Sequence, residues 1–276
     1  MYDFSTQKEL FKIAVSILED YDIESWSFGG GTALTTLHYG HRMSYDIDIF
    51  IESYEEIQRI LSHQAEIAQN LGIDELAVNA SITGITFFLE EGSYKIDFVY
   101  SPALTQDPFI YRDVFGYEQI KTQTPAEIIA KKLKHREKAT IRDFVDYAVA
   151  EEKEGLMTSL KSAGIVDIDR YFDVVDKFNR FDKSVFDTEL QALMPGRNKT
   201  KEDFAPTINA LMQPKDVVDV ALDSTGEVVA FDEFIEAYRP VYEEIGSFEV
   251  YRIKNPGLGY REILKLSKEE IEALKV

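Results

Sequence analysis

The sequence predicts an α+β protein in which a mixed β-sheet flanked by helices is followed by an all-helical C-terminal domain. Two observations predict this architecture. Runs typical of strands are interspersed with runs of helical periodicity as far as Tyr147. Beyond that residue the strand signals fade, and apolar side chains recur at helical spacing. We therefore expect two domains, the first of residues 1–150 with the sheet and the second of residues 151–276.

Composition favours a globular protein. The 276 residues are 45% hydrophobic and include 18 Phe and 15 Tyr, which is enough to build a packed core. The absence of cysteine excludes disulfide scaffolds, thiolate zinc sites and cysteine nucleophiles. The chain contains no apolar run of the roughly 18 residues that a membrane span requires, and its N-terminus lacks the pattern of a signal peptide. We expect a cytoplasmic protein without membrane contact.

A helix, a strand and a second helix are predicted first along the chain. Thr6 and Glu9 have the spacing of a capping box, which predicts a helix that ends near Asp20. A short apolar run then leads into the three glycines at 29–31, and good helix formers follow to about Tyr39. This order indicates a strand, a glycine turn and a helix.

The next segments complete the predicted sheet. Residues 46–51 alternate acidic and apolar side chains, which is typical of a strand, and residues 55–71 have helical periodicity. Residues 82–89 and 94–100 are rich in β-formers and are separated by four residues that include a glycine. We expect these two runs to form a hairpin.

Helices are predicted from Thr124 onwards. Thr124 is a suitable N-cap, Pro125 takes the first helical position and Glu127 the third. The later helical patterns fall near 154–163, 166–180, 184–193, 201–213 and 230–245, with a last capping box at Ser267 and Glu270.

Three aspartates are candidates for metal chemistry. Asp46 and Asp48 flank one apolar residue on a predicted strand, so both carboxylates lie on one face, about 7 Å apart. An isolated pair of this kind is more often an ordinary strand with solvated carboxylates. Asp97 lies on another predicted strand among apolar neighbours. If the two strands pair, three carboxylates converge, as a two-metal phosphoryl-transfer site requires.

A glycine-rich turn precedes these acids. Gly30, Gly31 and Thr32 open the second predicted helix, where unpaired backbone N–H groups favour phosphate and the missing side chains allow close approach. On its own, this segment fits an ordinary tight turn equally well. Arg42 and Ser44 then connect the turn to the paired acids.

Taken as a set, these motifs resemble the nucleotidyltransferase superfamily of the DNA polymerase β type. More narrowly, the sequence looks like the AbiEii/AbiGii nucleotidyltransferase toxin family, which acts in bacterial type IV toxin–antitoxin and abortive-infection systems. The resemblance covers about residues 28–150 and implies a nucleotidyltransferase-type fold. The motifs that carry it are GGTAL at 30–34, RMSYDID at 42–48, Lys132-Leu133 with Arg136, and RDFVD at 142–146.

The resemblance implies a role for each acid. Asp46 and Asp48 would hold the Mg²⁺ or Mn²⁺ ion that bridges the triphosphate of an NTP. Asp97 would complete a second metal site or act as the base that activates the acceptor hydroxyl.

Phosphate contacts are implied for the glycine turn and the segment after it. Gly30, Gly31 and Thr32 would cradle the nucleotide phosphates, with Thr32 also capping the following helix. Arg42 and Ser44 would either bind phosphate or position the acid strand.

The later motifs supply the predicted basic face of the site. Lys132 and Arg136, spaced i,i+4, would share a helix face and reach the triphosphate. Asp143 or Asp146 would orient one of these two side chains. Arg142 and Asp146 have the spacing of a simple helix ion pair, and for these three residues a structural role and a functional role stay equally open.

The function implied is metal-dependent transfer of a nucleoside monophosphate from an NTP to an acceptor hydroxyl, at a tRNA 3′ end or on a protein side chain. A cognate antitoxin is the implied partner. One alternative is a catalytically inactive nucleotide-binding or protein-interaction module on the same fold. Another is a helical interaction protein, although its aromatic side chains fit a core better. These side chains are Tyr171, Phe172, Phe178, Phe181 and Phe186.

Charge limits the size of any nucleic-acid contact. The chain carries 30 Lys+Arg against 50 Asp+Glu, a formal charge of -20. Residues 121–142 nevertheless hold seven Lys/Arg and two Glu, a local charge of +5. An acceptor end is compatible with this distribution, whereas an extended DNA duplex is not.

Overall fold

The structure is a computed structural model that describes residues 2–136 and 138–211 together with four later strands. The strands between residues 26 and 123 form one seven-stranded sheet in the order β3-β4-β5-β2-β1-β7-β6. The strands are β1 (Trp26–Gly29), β2 (Asp46–Ile51), β3 (Val78–Ser81), β4 (Gly84–Leu89), β5 (Tyr94–Tyr100), β6 (Phe109–Val114) and β7 (Tyr117–Gln123).

Helices flank this sheet and continue to residue 210. The described part of the chain also contains three shorter helical turns. Two are 3₁₀ turns at Glu75–Ala77 and Glu90–Gly92, and one is a π-helical turn at Leu34–Tyr39. The α-helices are α1 (Ser5–Asp20), α2 (Gly30–Ala33), α3 (Tyr54–Ser62), α4 (Gln64–Leu71), α5 (Pro125–His135), α6 (Ile141–Glu154), α7 (Leu156–Ser162), α8 (Ile168–Arg180), α9 (Lys183–Leu193) and α10 (Lys201–Ala210). None of the described helices is both long and apolar enough to cross a membrane.

The sheet is mixed, as predicted. β2 runs parallel to β5 and β1 runs parallel to β7, whereas the other neighbours are antiparallel. Strand β2 alternates in burial, with Ile47, Ile49 and Ile51 fully buried in the hydrophobic core. The intervening residues therefore face the opposite side of the sheet. Helix α1 covers the core side, where Phe11 packs against Phe28 with ring centroids 4.9 Å apart.

Several local predictions are confirmed, and others are wrong. The hairpin of β4 and β5 is present, and α5 begins after Thr124, whose hydroxyl accepts a hydrogen bond from the Glu127 N–H at 3.3 Å. The N-cap of α1 is Phe4 and makes no side-chain cap, so the capping box predicted at Thr6 is wrong. The helix predicted over 55–71 is broken at His63 into α3 and α4.

The pair β6 and β7 was not predicted. Its register shifts between Arg112 and Val114, and charged and polar residues interrupt the apolar alternation. A bulge of this kind removes the regular period of two on which strand prediction depends.

The all-helical prediction for the C-terminal part holds for α7–α10 but not for the later strands. These are β8 (Val218–Leu222), β9 (Val228–Ala230), β10 (Ser247–Asn255) and β11 (Tyr260–Ser267), which form a second sheet in the order β11-β10-β8-β9. The predicted helix near 230–245 falls almost entirely on residues outside those described, as does Glu270 of the last capping box.

Long antiparallel pairing accounts for the difference in this region. β10 and β11 pair from Ser247↔Ser267 to Asn255↔Tyr260. Both segments alternate apolar and charged residues over part of their length, which is a strand period that helical spacing does not explain. The division into domains at residue 150 remains a prediction, and α6 runs across that position.

Four of the five aromatic residues predicted in the helical region belong to a core rather than to an exposed binding face, namely Tyr171, Phe178, Phe181 and Phe186. Phe186 on α9 is fully buried, and its ring centroid lies 5.6 Å from that of Phe178 and 6.3 Å from that of Phe144. Tyr171 is also fully buried. These contacts join α6, α8 and α9 within one hydrophobic cluster.

We predict that Phe186→Ala lowers the free energy of unfolding by about 3–5 kcal/mol, because the cavity left among aromatic rings cannot collapse. Urea denaturation measures this change. The neighbouring Val185 is 46% exposed, and Val185→Ala should change the free energy by less than about 0.5 kcal/mol. Equal effects of the two substitutions would contradict a core role for Phe186.

Candidate active site

The three predicted aspartates lie on neighbouring strands at one face of the sheet. In the parallel pair of β2 and β5, Asp48 is the register partner of Asp97, and Asp46 is the partner of Lys95. Asp46 and Asp48 lie on the side of β2 opposite the buried isoleucines. The strand pairing on which the convergence of the three acids depended is therefore present.

The glycine turn lies directly against this acid face. Gly29 pairs with Asp48 across the antiparallel strands β1 and β2. A Cβ atom at Gly30 would lie 1.9 Å from Asp48 Oδ2, and Gly30 has a φ of +65°. Both the close approach and the left-handed backbone require glycine at this position.

The side chains of Thr32 and Ser44 lie between the glycine turn and the acid strand. Thr32 is fully buried, and its hydroxyl donates a hydrogen bond to the carbonyl oxygen of Asp46. The predicted capping role of Thr32 is wrong, because Gly29 is the N-cap and Thr32 lies within α2. A Cβ atom at Gly31 would lie 3.0 Å from Ser44 Oγ, and Ser44 is itself buried. The Thr32 hydrogen bond therefore joins the turn to the acid strand, and Ser44 lies close beside Gly31.

A cavity of about 330 Å³ separates the acid face from α5. This volume lies in the range of small-molecule sites. Asp48, Gly30 and Phe50 line one side, and Lys132 and Arg136 belong to the opposite side. The remaining lining residues are Thr83, Val99, Tyr100, Ser101, Ile128, Lys131 and His135.

Two buried aspartates of α6 hold Lys132 in this cavity wall. The Lys132 ammonium lies 2.8 Å from Asp143 Oδ1 and 3.0 Å from Asp146 Oδ2. Asp143 and Asp146 are both fully buried. An ammonium group has three donors, so two such contacts leave one N–H for a ligand. The prediction was that Asp143 or Asp146 orients Lys132 or Arg136, and in the structure both aspartates contact Lys132.

Arg42 binds Asp146 instead of facing the cavity. Its Nε and Nη2 donate to the two carboxylate oxygens of Asp146 at 2.7 and 2.8 Å, and Nη1 donates to the Met43 carbonyl at 2.7 Å. Arg42 is only 1% exposed. This geometry supports the alternative in which Arg42 positions the acid strand, and it leaves no exposed edge of the guanidinium for phosphate.

The buried aspartates are ionised. Burial alone would raise the pKa of Asp146, but Arg42 and Lys132 hold it well below its ordinary value. Lys132 and Arg136 lower the pKa of Asp143 in the same way against the effect of burial. Burial lowers the pKa of His41, whose Nε2 lies 2.7 Å from Asp146 Oδ1, so His41 is neutral and donates this hydrogen bond.

The positions of Arg136 and Arg142 differ from the prediction. Helix α5 ends at His135, so Arg136 is its C-cap in an extended conformation and does not share a helix face with Lys132. Arg136 nevertheless contacts Asp143 Oδ2 at 3.3 Å while remaining 47% exposed. Arg142 contacts Asp46 at 3.5 Å, whereas the ion pair predicted with Asp146 is replaced by the contacts described above.

Lys95 is a site residue that the sequence reasoning missed. Its ammonium donates to Asp97 Oδ2 and lies 3.9 Å from Asp46 Oδ2. Thr86 on β4 also donates to Asp97. Lys95 precedes Asp97 by two residues on a strand, so the period-two rule that placed the acids also places this lysine on their face.

Lys131 also lines the cavity and was missed as a site residue. Its ammonium lies 3.3 Å from Glu127 Oε1, donates to the Ser101 carbonyl at 3.0 Å, and lies 4.6 Å from the centroid of the Phe50 ring. Much of the positive charge predicted for α5 is therefore balanced by buried carboxylates.

The donor chemistry of the acid face fits a divalent cation, since Mg²⁺ and Mn²⁺ prefer carboxylate oxygens. In the described part of the chain, no set of three or more His, Asp or Glu side chains is gathered closely enough to hold a metal ion. The Lys95 ammonium instead contacts Asp97 and lies near Asp46. The acid face thus offers the type of oxygen donor that such an ion prefers, with the Lys95 ammonium beside two of its carboxylates.

Burial and the neighbouring carboxylates both change the pKa of Asp48. Burial raises the pKa of Asp48 to about 6, and Asp97 and Asp46 add to this rise, while Lys95 and Lys132 oppose it. The folded protein therefore resists ionisation of Asp48. Its contribution to stability is full below pH 4 and is lost as the pH rises through 6.

We predict that Asp48→Asn stabilises the protein in the absence of divalent metal, by on the order of 2 kcal/mol at pH 7.5, because asparagine carries no charge that burial would penalise or that Asp97 would repel. The gain should disappear near pH 4. Denaturation at the two pH values tests this, with the exposed Asp22→Asn as the control. A gain of the same size at both pH values would contradict the electrostatic cause.

We also predict that Asp146→Ala lowers the free energy of unfolding by about 3–5 kcal/mol, since it leaves Arg42 and Lys132 as buried charges without their shared partner. The control is Asp173→Ala, which removes an exposed ion pair with Arg170 on the surface of α8. Its effect should stay below about 0.5 kcal/mol. A small loss for Asp146→Ala would show that the buried charges rearrange freely.

Comparison with solved structures finds similar chains at low sequence identity. MenT4, a nucleotidyltransferase toxin from Mycobacterium tuberculosis, is 14% identical, with 86% of this chain and 90% of MenT4 covered at a TM-score of 0.46. JHP933 from Helicobacter pylori is 15% identical, with 76% and 91% covered at a TM-score of 0.41. The antibiotic-resistance factor ANT(2'')-Ia is 16% identical, with 59% and 95% covered at a TM-score of 0.41. No curated protein sequence matches the chain.

The sequence also matches a protein family over residues 16–213, more than half of the chain. The family is described as "Nucleotidyl transferase AbiEii toxin, Type IV TA system". The matched range includes the glycine turn, the three acids and the aspartates of α6. The chain therefore belongs to the AbiEii family of nucleotidyltransferase toxins.

Proposed function

We propose that this nucleotidyltransferase moves a nucleoside monophosphate from an NTP to an acceptor hydroxyl in a reaction that depends on Mg²⁺ or Mn²⁺. The observation that carries the proposal is the register of β2 and β5, which brings Asp46, Asp48 and Asp97 to one face. Lys132 and Arg136 line the same cavity as Asp48. Carboxylates for metal and cations for phosphate thus face each other.

Asp46, Asp48 and Asp97 are the residues that would hold the metal. A divalent ion bound there supplies charge neutralisation to the triphosphate and to the departing pyrophosphate. Asp97 is oriented by hydrogen bonds from Thr86 and Lys95, and its register position beside Asp48 places it within the same acid face. From this position Asp97 can serve either as a ligand or as the base that takes the acceptor proton.

Gly30 and Gly31 would admit the phosphates. Gly30 lines the cavity beside Asp48, and the lack of side chains lets the nucleotide approach the backbone. We assign Thr32, Arg42 and Ser44 to positioning, because all three are buried. Thr32 bonds the acid strand at Asp46, Arg42 bonds Asp146, and Ser44 Oγ lies beside Gly31.

Lys132 and Arg136 would bind the triphosphate from the other side of the cavity. Lys132 is held in place by Asp143 and Asp146 and keeps one N–H for phosphate. Arg136 is anchored by Asp143 while about half of it remains exposed. Both charges are fixed before the substrate arrives, and preorganised cations of this kind stabilise the charge that develops as pyrophosphate leaves.

The acceptor we propose is the 3′ end of a tRNA, with a protein hydroxyl as the competing outcome of the assay. The formal charge of -20 repels long nucleic acid, whereas Arg136 lines the cavity and stays 47% exposed, which leaves a cation for a single end. As a toxin of the type IV class, the enzyme would be controlled by a cognate antitoxin. We propose the cytoplasm, where NTPs and tRNA occur, as its site of action.

The test is incubation of the full chain with each α-labelled NTP, Mg²⁺, total cellular RNA and lysate protein. We predict that label enters the RNA fraction with the wild-type protein. Asp46→Asn and Asp48→Asn should each reduce labelling by about 10²–10³-fold or more, because each removes a charge that the transition state requires. Asp22→Asn, which alters an exposed aspartate, is the control and should label at the wild-type rate.

Unchanged labelling by both acid variants would contradict the proposal. Label in the protein fraction alone would replace the RNA acceptor with a protein acceptor. NTP binding by calorimetry without transfer to either fraction would identify an inactive nucleotide-binding module.

A further inference from the structure

Lys95 occupies the acid face in a way that bears on metal binding. Its ammonium donates to Asp97 and lies 3.9 Å from Asp46. It is the direct register partner of Asp46 on the neighbouring strand. One cation thus lies between two of the three carboxylates that the proposed function assigns to metal.

The charges of these acids require a cation. Asp48 and Asp97 are register partners, and adjacent strands are only about 4.8 Å apart, so their carboxylates repel each other. Arg142 offsets part of the charge from the edge of the site through its contact with Asp46. Lys95 contacts Asp97 itself and therefore supplies the most direct compensation.

Lys95 remains charged in this position. Its ammonium contacts Asp97 and lies near Asp46, and two nearby carboxylates favour the charged form of a lysine. A divalent ion in contact with the same oxygens would be repelled by this ammonium. The lysine is 33% exposed and carries a flexible four-carbon stem, so it has a route out towards solvent.

We propose that Lys95 is an internal countercation that takes the place of a divalent metal in the metal-free protein and is displaced when the metal binds. The inference rests on the proposed function, since it assigns Asp46 and Asp97 to the metal. Lys95 is a positioning residue in this account. It stabilises the acid face while the site is empty and weakens the affinity of that face for metal.

The experiment measures Mn²⁺ binding to the full chain by electron paramagnetic resonance, without nucleotide. Lys95→Met should lower the Kd for Mn²⁺ roughly tenfold, because the displaced charge is gone. Lys95→Arg, which keeps the charge, should bind close to wild type. The matched control is Lys121→Met, which removes a lysine of similar exposure that pairs with Glu52 on the same sheet, and it should leave the Kd unchanged.

A second measurement does not depend on the variants. Acylation of wild-type lysines, read by mass spectrometry, should show that Lys95 becomes more reactive when Mn²⁺ is added, while Lys121 does not change. An equal or weaker Mn²⁺ affinity in Lys95→Met, or unchanged labelling of Lys95, would overturn the inference.

Asp46→Asn separates this inference from the proposed function. If Asp46→Asn weakens Mn²⁺ binding but Lys95→Met does not tighten it, only the role of Lys95 fails. If Asp46→Asn binds Mn²⁺ as wild type does, the carboxylate metal site fails, and the role of Lys95 fails with it.

Discussion

The buried pair Asp143 and Asp146 on α6 is the constraint on which the site depends. Asp146 binds Arg42 through both carboxylate oxygens, and the two aspartates together bind Lys132. Arg42 lies between the glycine helix and the acid strand, whereas Lys132 belongs to α5. One anionic pair therefore sets the position of the acid strand relative to the cationic wall of the cavity. Charges buried in this way are costly unless every one is paired, so the arrangement admits few alternatives.

The acid face shows the opposite condition, in which like charges are held together. Gly30 passes so close to Asp48 that a side chain at this position would collide with the carboxylate. Asp97 and Asp46 add negative charge around Asp48. The protein tolerates this repulsion because Lys95 and Arg142 offset it. The remaining repulsion lowers the stability of the protein, which is common where a function requires unfavourable electrostatics.

Sequence reasoning located the acids because a strand has a period of two, which puts Asp46 and Asp48 on one face regardless of the rest of the fold. The role of Asp97 also depended on the parallel pairing of β2 with β5, a long-range contact. The sequence left two roles possible for Arg42, because its partner Asp146 lies 104 residues away.

The same period-two rule also places Lys95 on the acid face, but this residue was missed. The strands β6–β9 were missed because short or irregular alternation is hard to separate from other patterns, whereas β10 and β11 were missed although parts of them have a period of two.

Under the proposed function, metal, phosphates and fixed cations meet in the cavity between β2 and α5. Anomalous diffraction from crystals of the full chain grown with Mn²⁺ and a non-hydrolysable NTP locates all three. We expect a manganese peak bound by Asp46 and Asp48, with phosphates beside Gly30 and in contact with Lys132. A bound nucleotide whose phosphates and manganese lie away from these residues would contradict this arrangement.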